Sequence, residues 1–337
     1  MKRILTAILA LITSVTCVAQ QRVVAFYNVE NLFDTINCPT TADEDMLPLA
    51  DRRWNTERYQ AKLKSISEII ANISPHNYPS IVGLAEVENS DVVEELVASS
   101  ALSAARYKIC HYDSPDRRGI DVALLYRDDI FHLEGSRAIA ATTDTPTRDI
   151  LTAWGTLDNQ MVFIAVVHWP SRIGGVKFTE PQRIACAKQL RHIVDSVQHR
   201  DPHTKIIIMG DMNDNPRNKS ISTALGAKRR IKHLASNDLY APFANIKRGS
   251  SVYDNRWNRY DNVIISENLL RGRGLQLQPT NGKALAAIFS RRDMLDQRGH
   301  PLPTYKGTDY IGGPSDHLPI YVILGEKFSP SLAIFPL

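Results

Sequence analysis

The sequence predicts an α/β layered fold, and three observations point to it. Short apolar runs of strand length alternate with amphipathic helical stretches from one end to the other. No internal repeat, low-complexity block or flexible linker interrupts that alternation. The polar residues with chemical potential stand at or just beyond the ends of the apolar runs, where open α/β sheets gather ligand-binding groups. One domain over residues 20–337 is the expected organisation.

Arg22 to Asn28 reads as the first strand, with Val23, Val24, Ala25 and Phe26 nearly continuous. Asn37 to Arg53 is polar and contains proline, so it reads as a loop. Thr56 to Ile73 reads as a helix with Leu63, Ile66, Ile69 and Ile70 on one face. Ser80 to Ala85 is a buried strand, and Asp91 with Glu94 has the form of a capping box for the next helix. Asp121 to Tyr126 follows as a strand. Leu151 to Leu157 and Met161 to Val167 form a hairpin across Asp158-Asn159-Gln160. Thr179 with Gln182 reads as a second capping box, with Pro181 in the first helical turn. Lys205 to Met209, Tyr260 to Ser266 and Leu318 to Leu324 are the remaining clear strands. Residues 271–303 read as a surface excursion.

The N-terminus sets the expected compartment. Lys2 and Arg3 precede an apolar run from Ile4 to Val15, and Cys17-Val18-Ala19 offers small residues for cleavage. A signal peptide over 1–19 and a periplasmic or extracellular location follow. Lipidation at Cys17 is disfavoured by Thr16 before it, and no later segment reaches transmembrane length. Cleavage lowers the formal charge from +4 to +2 (38 basic against 36 acidic residues), which neither demands nor excludes a polyanionic partner. Cys38, Cys110 and Cys186 remain, and their spacing implies no disulfide.

Asn28 and Glu30 follow the first strand, Glu86 the second, and His168 the strand ending at Val167. Asp211 and Asn213 follow Ile206 to Gly210, Asp261 adjoins Asn262 to Ser266, and Asp316-His317 precedes the last strand. Buried carboxylates are costly without a neutralising cation. These are oxygen donors with neither a cysteine nor a histidine cluster, so they suit Mg²⁺ or Mn²⁺ rather than zinc. A hard cation beside a His/Asp pair is the equipment for phosphoester hydrolysis without a covalent nucleophile.

The segment Phe26-Tyr27-Asn28-Val29-Glu30-Asn31-Leu32-Phe33-Asp34 resembles the opening motif of the endonuclease/exonuclease/phosphatase superfamily. In order after it come Leu84-Ala85-Glu86-Val87-Glu88-Asn89 and Arg118-Gly119-Ile120-Asp121-Val122-Ala123-Leu124-Leu125-Tyr126. Next are His168-Trp169-Pro170-Ser171-Arg172 and Gly210-Asp211-Met212-Asn213-Asp214. Arg259-Tyr260-Asp261 and Ser315-Asp316-His317-Leu318-Pro319 complete the series. The resemblance covers 22–324 and implies a deoxyribonuclease I-like, four-layer α/β sandwich. In that fold two mixed β-sheets pack face to face with helices outside.

By the same resemblance Glu86 is the principal metal ligand, with Asn28, Glu30 and Asp316 near the same cation, expected to be Mg²⁺ or Mn²⁺, with Ca²⁺ a further option. His317 is the catalytic histidine with Asp261 as its partner, and Asp211 handles a proton or aligns water. Asn213 and His168 contact phosphate oxygens, as do Asn28 and Arg118, with Asp121 a buttress for Arg118. Glu30 stands where many repair-type members carry Asp. The run His168 to Gly175, and Gly312-Gly313 before Ser315-Asp316-His317, resemble a secreted bacterial branch described as endonucleases. Nucleic acid is therefore the first substrate expectation, and a lipid or sugar phosphoester the second. A non-catalytic binding protein is the third, and no stable protein partner is implied. Asp34 and Glu88 read as structural or solvated, and Trp169 as core packing or cleft border. His111, His192, His199, His203, His233 and His300 read as surface histidines. The run Lys228 to Lys232 reads as a solvated face unless it lines the metal's groove.

Overall fold

The computed structural model describes residues 21–74 and 77–326. The expected signal peptide lies outside the described residues. One sheet contains β1 (Arg22–Leu32), β2 (Ile81–Val87), β3 (Tyr107–His111), β4 (Asp121–Arg127), β14 (Leu275–Gln278), β15 (Ala287–Ile288) and β18 (Ile320–Glu326). Its order is β14-β18-β1-β2-β4-β3, with β15 also pairing β18. The other contains β5 (Phe131–Ile139), β6 (Ile150–Leu157), β7 (Gln160–His168), β8 (Lys205–Asp211), β9 (Ala227–Lys228), β10 (Leu239–Tyr240) and β13 (Asp261–Ser266). Its order is β5-β6-β7-β8-β13-β10-β9. Two small hairpins, β11 (Ser251–Tyr253) with β12 (Arg256–Asn258) and β16 (Tyr305–Lys306) with β17 (Asp309–Tyr310), stand apart.

Both sheets are mixed for the same reason. The parallel pairs β1–β2 and β7–β8 need crossovers, supplied by α1 (Thr56–Asn72) and α3 (Val176–Arg200). Strand residues alternate between two cores. Val24, Phe26, Val122 and Leu124 meet Val162, Ile164, Ile207 and Met209 between the sheets. Val23, Ala25 and Tyr27 face Leu63, Ile66 and Ile70 of α1 and Val93 of α2 (Ser90–Ala98). Ala165, Val167 and Ile208 face Cys186, Leu190 and Val194 of α3. Helices, sheet, sheet and helix make the four expected layers. Burial on both faces is why these strands read as continuous apolar runs.

Several boundaries differ from expectation. The cap of α2 is Asn89, whose side chain accepts from Val92 N–H, and Asp91 lies in the first turn. Helix α3 starts at Val176, so Pro181 lies inside it. The Thr179 hydroxyl donates back to the Gly175 carbonyl rather than capping. Residues 271–303 are not wholly an excursion, because β14 extends the first sheet and buries Leu275 and Leu277 between the layers. Strands β3 and β5 carried too little apolar periodicity to be expected. Cys38, Cys110 and Cys186 are free thiols. Among the described residues no helix is long and apolar enough to cross a membrane.

Candidate active site

The expected site residues meet at one edge of the sandwich, and irregular backbone brings them there. Strand β1 runs parallel to β2 in register until Asn28 and resumes at Leu32; the bulge between holds Glu30 and Asn31 at φ 49° and 53°. Glu86 sits in a second bulge at φ 66°, and Asn213 follows β8 at φ 48°. Non-glycine residues in this region are uncommon and concentrate where a side chain must be re-aimed. Direct pairing aligns the rest: His168 lies opposite Asp211, and Asp211 opposite Asp261.

His317 and Asp261 form the tightest unit, with Nδ1 2.7 Å from Asp261 Oδ2. The Ser250 hydroxyl donates to the same carboxylate oxygen. His317 Nε2 faces Asp211 Oδ2 at 3.7 Å and Asp316 Oδ1 at 3.9 Å. Burial alone would lower this imidazole's proton affinity, but Asp261, Asp316 and Asp211 together hold its pKa well above the ordinary value. Asp211 is pushed up to about 7 by burial and then by the Asp261 charge. His168 is the opposite case. Burial first, then Arg148 and Arg118, hold its pKa well below the usual range, so it is neutral with a buried, unpartnered Nδ1. Its Nε2 lies 3.8 Å from both Glu86 and Asp211.

The carboxylates beside this pair are tied down individually. Asn28 Nδ2 donates to Asp211 at 3.0 Å and to Glu86 at 3.3 Å, while its Oδ1 accepts from Glu30 N–H at 3.0 Å. Both amide atoms of Asn28 are thus engaged as a clamp between two acids. The other Glu86 oxygen accepts from Asn31 N–H at 3.0 Å. Glu30 Oε2 accepts from Thr304 and Asp316 N–H at 2.7 and 3.1 Å, so Glu30 also anchors the loop before β18. Burial and then the Asp316 charge raise Glu30 to about 7. Acids that raise one another's proton affinity, all with oxygen donors, are a set short of positive charge. They fit a hard divalent cation.

Sequence reasoning missed the supports. Lys62 of α1 is buried beneath the acids and donates to Glu30 O at 2.5 Å, Pro314 O at 3.3 Å and Thr304 Oγ1. Its signal was a lysine on the otherwise apolar face of a helix. Arg148 donates to Asp116 at 2.8 Å and to the Trp169 carbonyl at 2.8 Å, and Asn213 Nδ2 donates to that carbonyl at 3.0 Å. Trp169 is core packing against α3. Arg118 lies at the rim, buttressed not by Asp121 but by Asp116, which accepts its N–H at 3.0 Å and approaches its Nε at 3.7 Å. Asp121 points the other way, toward Ser114 N–H and His111. His111 is not a surface histidine, since its side chain is 4% exposed. Glu88 is structural, accepting from Asp34 N–H at 2.7 Å.

The basic run Lys228 to Lys232 does not line this edge. Lys228 pairs with Asp238, and the carbonyls of Ile231 and Leu234 accept from Arg271, beyond the Ser266 end of β13 and opposite Asp261. What surrounds the site is different. Exposed large apolar residues stand on the segments that lead from these strand ends, among them Phe178 in the first turn of α3 at 79% and Tyr253 at the end of β11 at 71% exposure. Exposed Lys177, Arg217 and Arg256 stand among them.

Residues 23–326 match the sequence profile of the Endonuclease/Exonuclease/phosphatase family. No curated protein matches the chain. Solved structures with the same fold include D. rerio TDP2 complexed with a single-strand DNA product. It is 16% identical at TM-score 0.55, over 90% of this chain and 98% of that one. ANGEL2, a 2',3'-cyclic phosphatase, is 12% identical at TM-score 0.57, over 92% and 97%. A mannosyl-6-phosphatase of Bacteroides thetaiotaomicron is 16% identical at TM-score 0.52, over 90% and 99%. The ordered motifs, the two-sheet sandwich and the profile match over nearly the whole described region agree: the chain belongs to the endonuclease/exonuclease/phosphatase family.

Proposed function

We propose that this protein is an exported, divalent-metal-dependent phosphodiesterase that cleaves nucleic acid. The observation that carries the reading is the His317–Asp261 pair, 2.7 Å apart, with Asp211 3.7 Å from the other imidazole nitrogen. Glu86, Glu30 and Asp316 would hold the cation, which when bound withdraws charge from the phosphoryl group. Asp211, with a pKa near 7, is suited to take the proton of the attacking water. His317, kept protonated by its three acids, presents a cationic N–H to the oxygens that gain charge or to the leaving oxygen. Asn213, neutral His168 and the Arg118 guanidinium supply further donors to the phosphate. Export rests on the basic, apolar and small-residue pattern of the first nineteen residues.

Nucleic acid is favoured over a sugar phosphate by the rim. Exposed Phe178 and Tyr253 offer faces on which unpaired bases stack, and Lys177, Arg217 and Arg256 suit the backbone. A phospholipid headgroup is the second reading, favoured by the exposed aliphatic Ile36, Leu49, Ile173 and Ile311 on the same edge. The test incubates the chain from residue 20 with plasmid DNA, a single-stranded oligonucleotide, phosphatidylcholine vesicles and bis-p-nitrophenyl phosphate, each with Mg²⁺, Mn²⁺ or EDTA. Metal-dependent DNA cleavage, lost in Glu86→Gln and in His317→Ala, is the expected result. Intact DNA with metal-dependent release of the vesicle headgroup would transfer the assignment to lipid. Activity retained in both variants would overturn the site itself.

A further inference from the structure

We infer that a second divalent cation binds at His111, Asp121 and Asp113, on the far side of the loop that carries Arg118. Strand β3 ends at His111 and the antiparallel β4 starts at Asp121, so loop 112–120 is closed by these two residues. Both side chains are only 4% exposed. His111 Nε2 is buried without a hydrogen-bond partner, and the nearest acid oxygen, Asp121 Oδ2, is 3.7 Å away, too far for a hydrogen bond. The other Asp121 oxygen is already used, accepting from Ser114 N–H at 2.9 Å. The buried, unpartnered ring nitrogen thus faces a carboxylate oxygen that it does not reach. Leaving that nitrogen unpaired costs free energy that a cation shared with the carboxylate removes.

Asp113 completes the set. Its Oδ1 lies 3.9 Å from Nδ1 of the same ring and its side chain is 85% exposed, so it joins the cation by turning toward Nε2. One ligand atom from each of the three residues lies within 4.8 Å of the others. Metal–ligand bonds of about 2.0–2.2 Å place neighbouring ligand atoms about 3.0–3.4 Å apart, so binding draws Asp121 in and turns Asp113 toward Nε2. One imidazole with two carboxylates is a mixed donor set, suited to Zn²⁺ or Mn²⁺ better than to Mg²⁺ or Ca²⁺. No residue is shared with the Glu86, Glu30 and Asp316 group.

Such an ion would fix the loop from both ends. Within that loop Asp116 accepts from Arg118 N–H at 3.0 Å and from Arg148 at 2.8 Å. The cation therefore orders the segment that presents Arg118 to the phosphate site.

The experiment titrates Zn²⁺ into EDTA-stripped chain by calorimetry, with bound metal counted by elemental analysis after dialysis. The Glu86→Gln/Asp316→Asn background, emptied at the first group, should keep one Zn²⁺ per chain. Adding His111→Gln should remove it, and adding Asp113→Asn should weaken it at least tenfold. Asp113 is exposed, so its variant keeps the test open if His111→Gln fails to fold. Zn²⁺ should also slow tryptic cleavage after Arg117 and Arg118, in the background but not in the triple variants. Zn²⁺ absent from the background, or bound equally by both triple variants, would overturn the inference whatever the substrate proves to be.

Discussion

Lys62→Met tests whether a buried cation beneath the acids organises the site. Methionine keeps the length of the stem but deletes all three donations, to Glu30 O, Pro314 O and Thr304 Oγ1. Lys62 is 3% exposed, so water cannot readily replace the donors. Two carbonyls left bare cost about 1–3 kcal/mol each. Relief of the ammonium's own desolvation offsets part of this. A net loss of about 2–4 kcal/mol is expected, which lowers Tm by about 5–10 °C. Pro314 leads directly into Ser315, Asp316 and His317, so freeing it moves the reacting groups. A displacement near 1 Å costs roughly a hundredfold, and kcat on bis-p-nitrophenyl phosphate should fall about 10–100-fold. The Lys62 charge also lowers the proton affinity of Glu30. The pH at which Mg²⁺ activates half-maximally should therefore move upward in the variant, which a purely structural lysine would not do. Calorimetry and a pH series of the Mg²⁺ dependence make the measurement. Wild-type kcat, Tm and pH midpoint together would refute the reasoning.

Asp261→Asn should reduce kcat by about 100-fold or more, because it removes the charge that keeps His317 protonated and the contact that orients its ring. Steady-state rates beside a thermal melt check it, and a rate within twofold of wild type would remove Asp261 from the mechanism. In EDTA, Glu30 and Asp211 titrate near 7 when folded against ordinary values of 4.5 and 3.8. Folded values raised in this way stabilise the protonated state, so stability is full below about 4 and falls as pH rises toward 7. Added Mg²⁺ should therefore raise Tm more at pH 8 than at pH 5; an increment that is flat or shrinks with pH contradicts the cluster. Gly83→Ala places a Cβ 2.5 Å from Met209 Sδ between the sheets. It should cost about 1–3 kcal/mol by overpacking while leaving kcat unchanged, and a chemical denaturation curve with a rate measurement reads both.

The first strand, the strand at Ile81 and the strand at Lys205 were legible because both faces of each are buried, leaving unbroken apolar runs. Strand β5 was not, since most of its residues are at least partly exposed. Strand β14 was hidden among arginines and glycines, and only its pairing with β18 shows that Leu275 and Leu277 are core. Pro181 read as a helix start because proline is most at home there. The chain instead begins α3 at Val176 and carries the proline inside.

For the site, the sequence by itself determined which acids, amides and histidines stand at strand ends, because burying such groups beside apolar runs is costly enough to mark them. Strand order and register then brought Asn28, Glu86, Asp211, Asp261 and His317 to one edge from positions far apart in the chain. Which of them touch, and what supports them, was decided only by the tertiary structure. Lys62 and Thr304 are 242 residues apart, and Arg148 reaches Asp116 across 32. His111 looked like any polar-flanked histidine until the pairing of β3 with β4 sealed its ring beside Asp121. Local residue chemistry determines what each group can do, while long-range packing sets its partner, its burial and hence its charge.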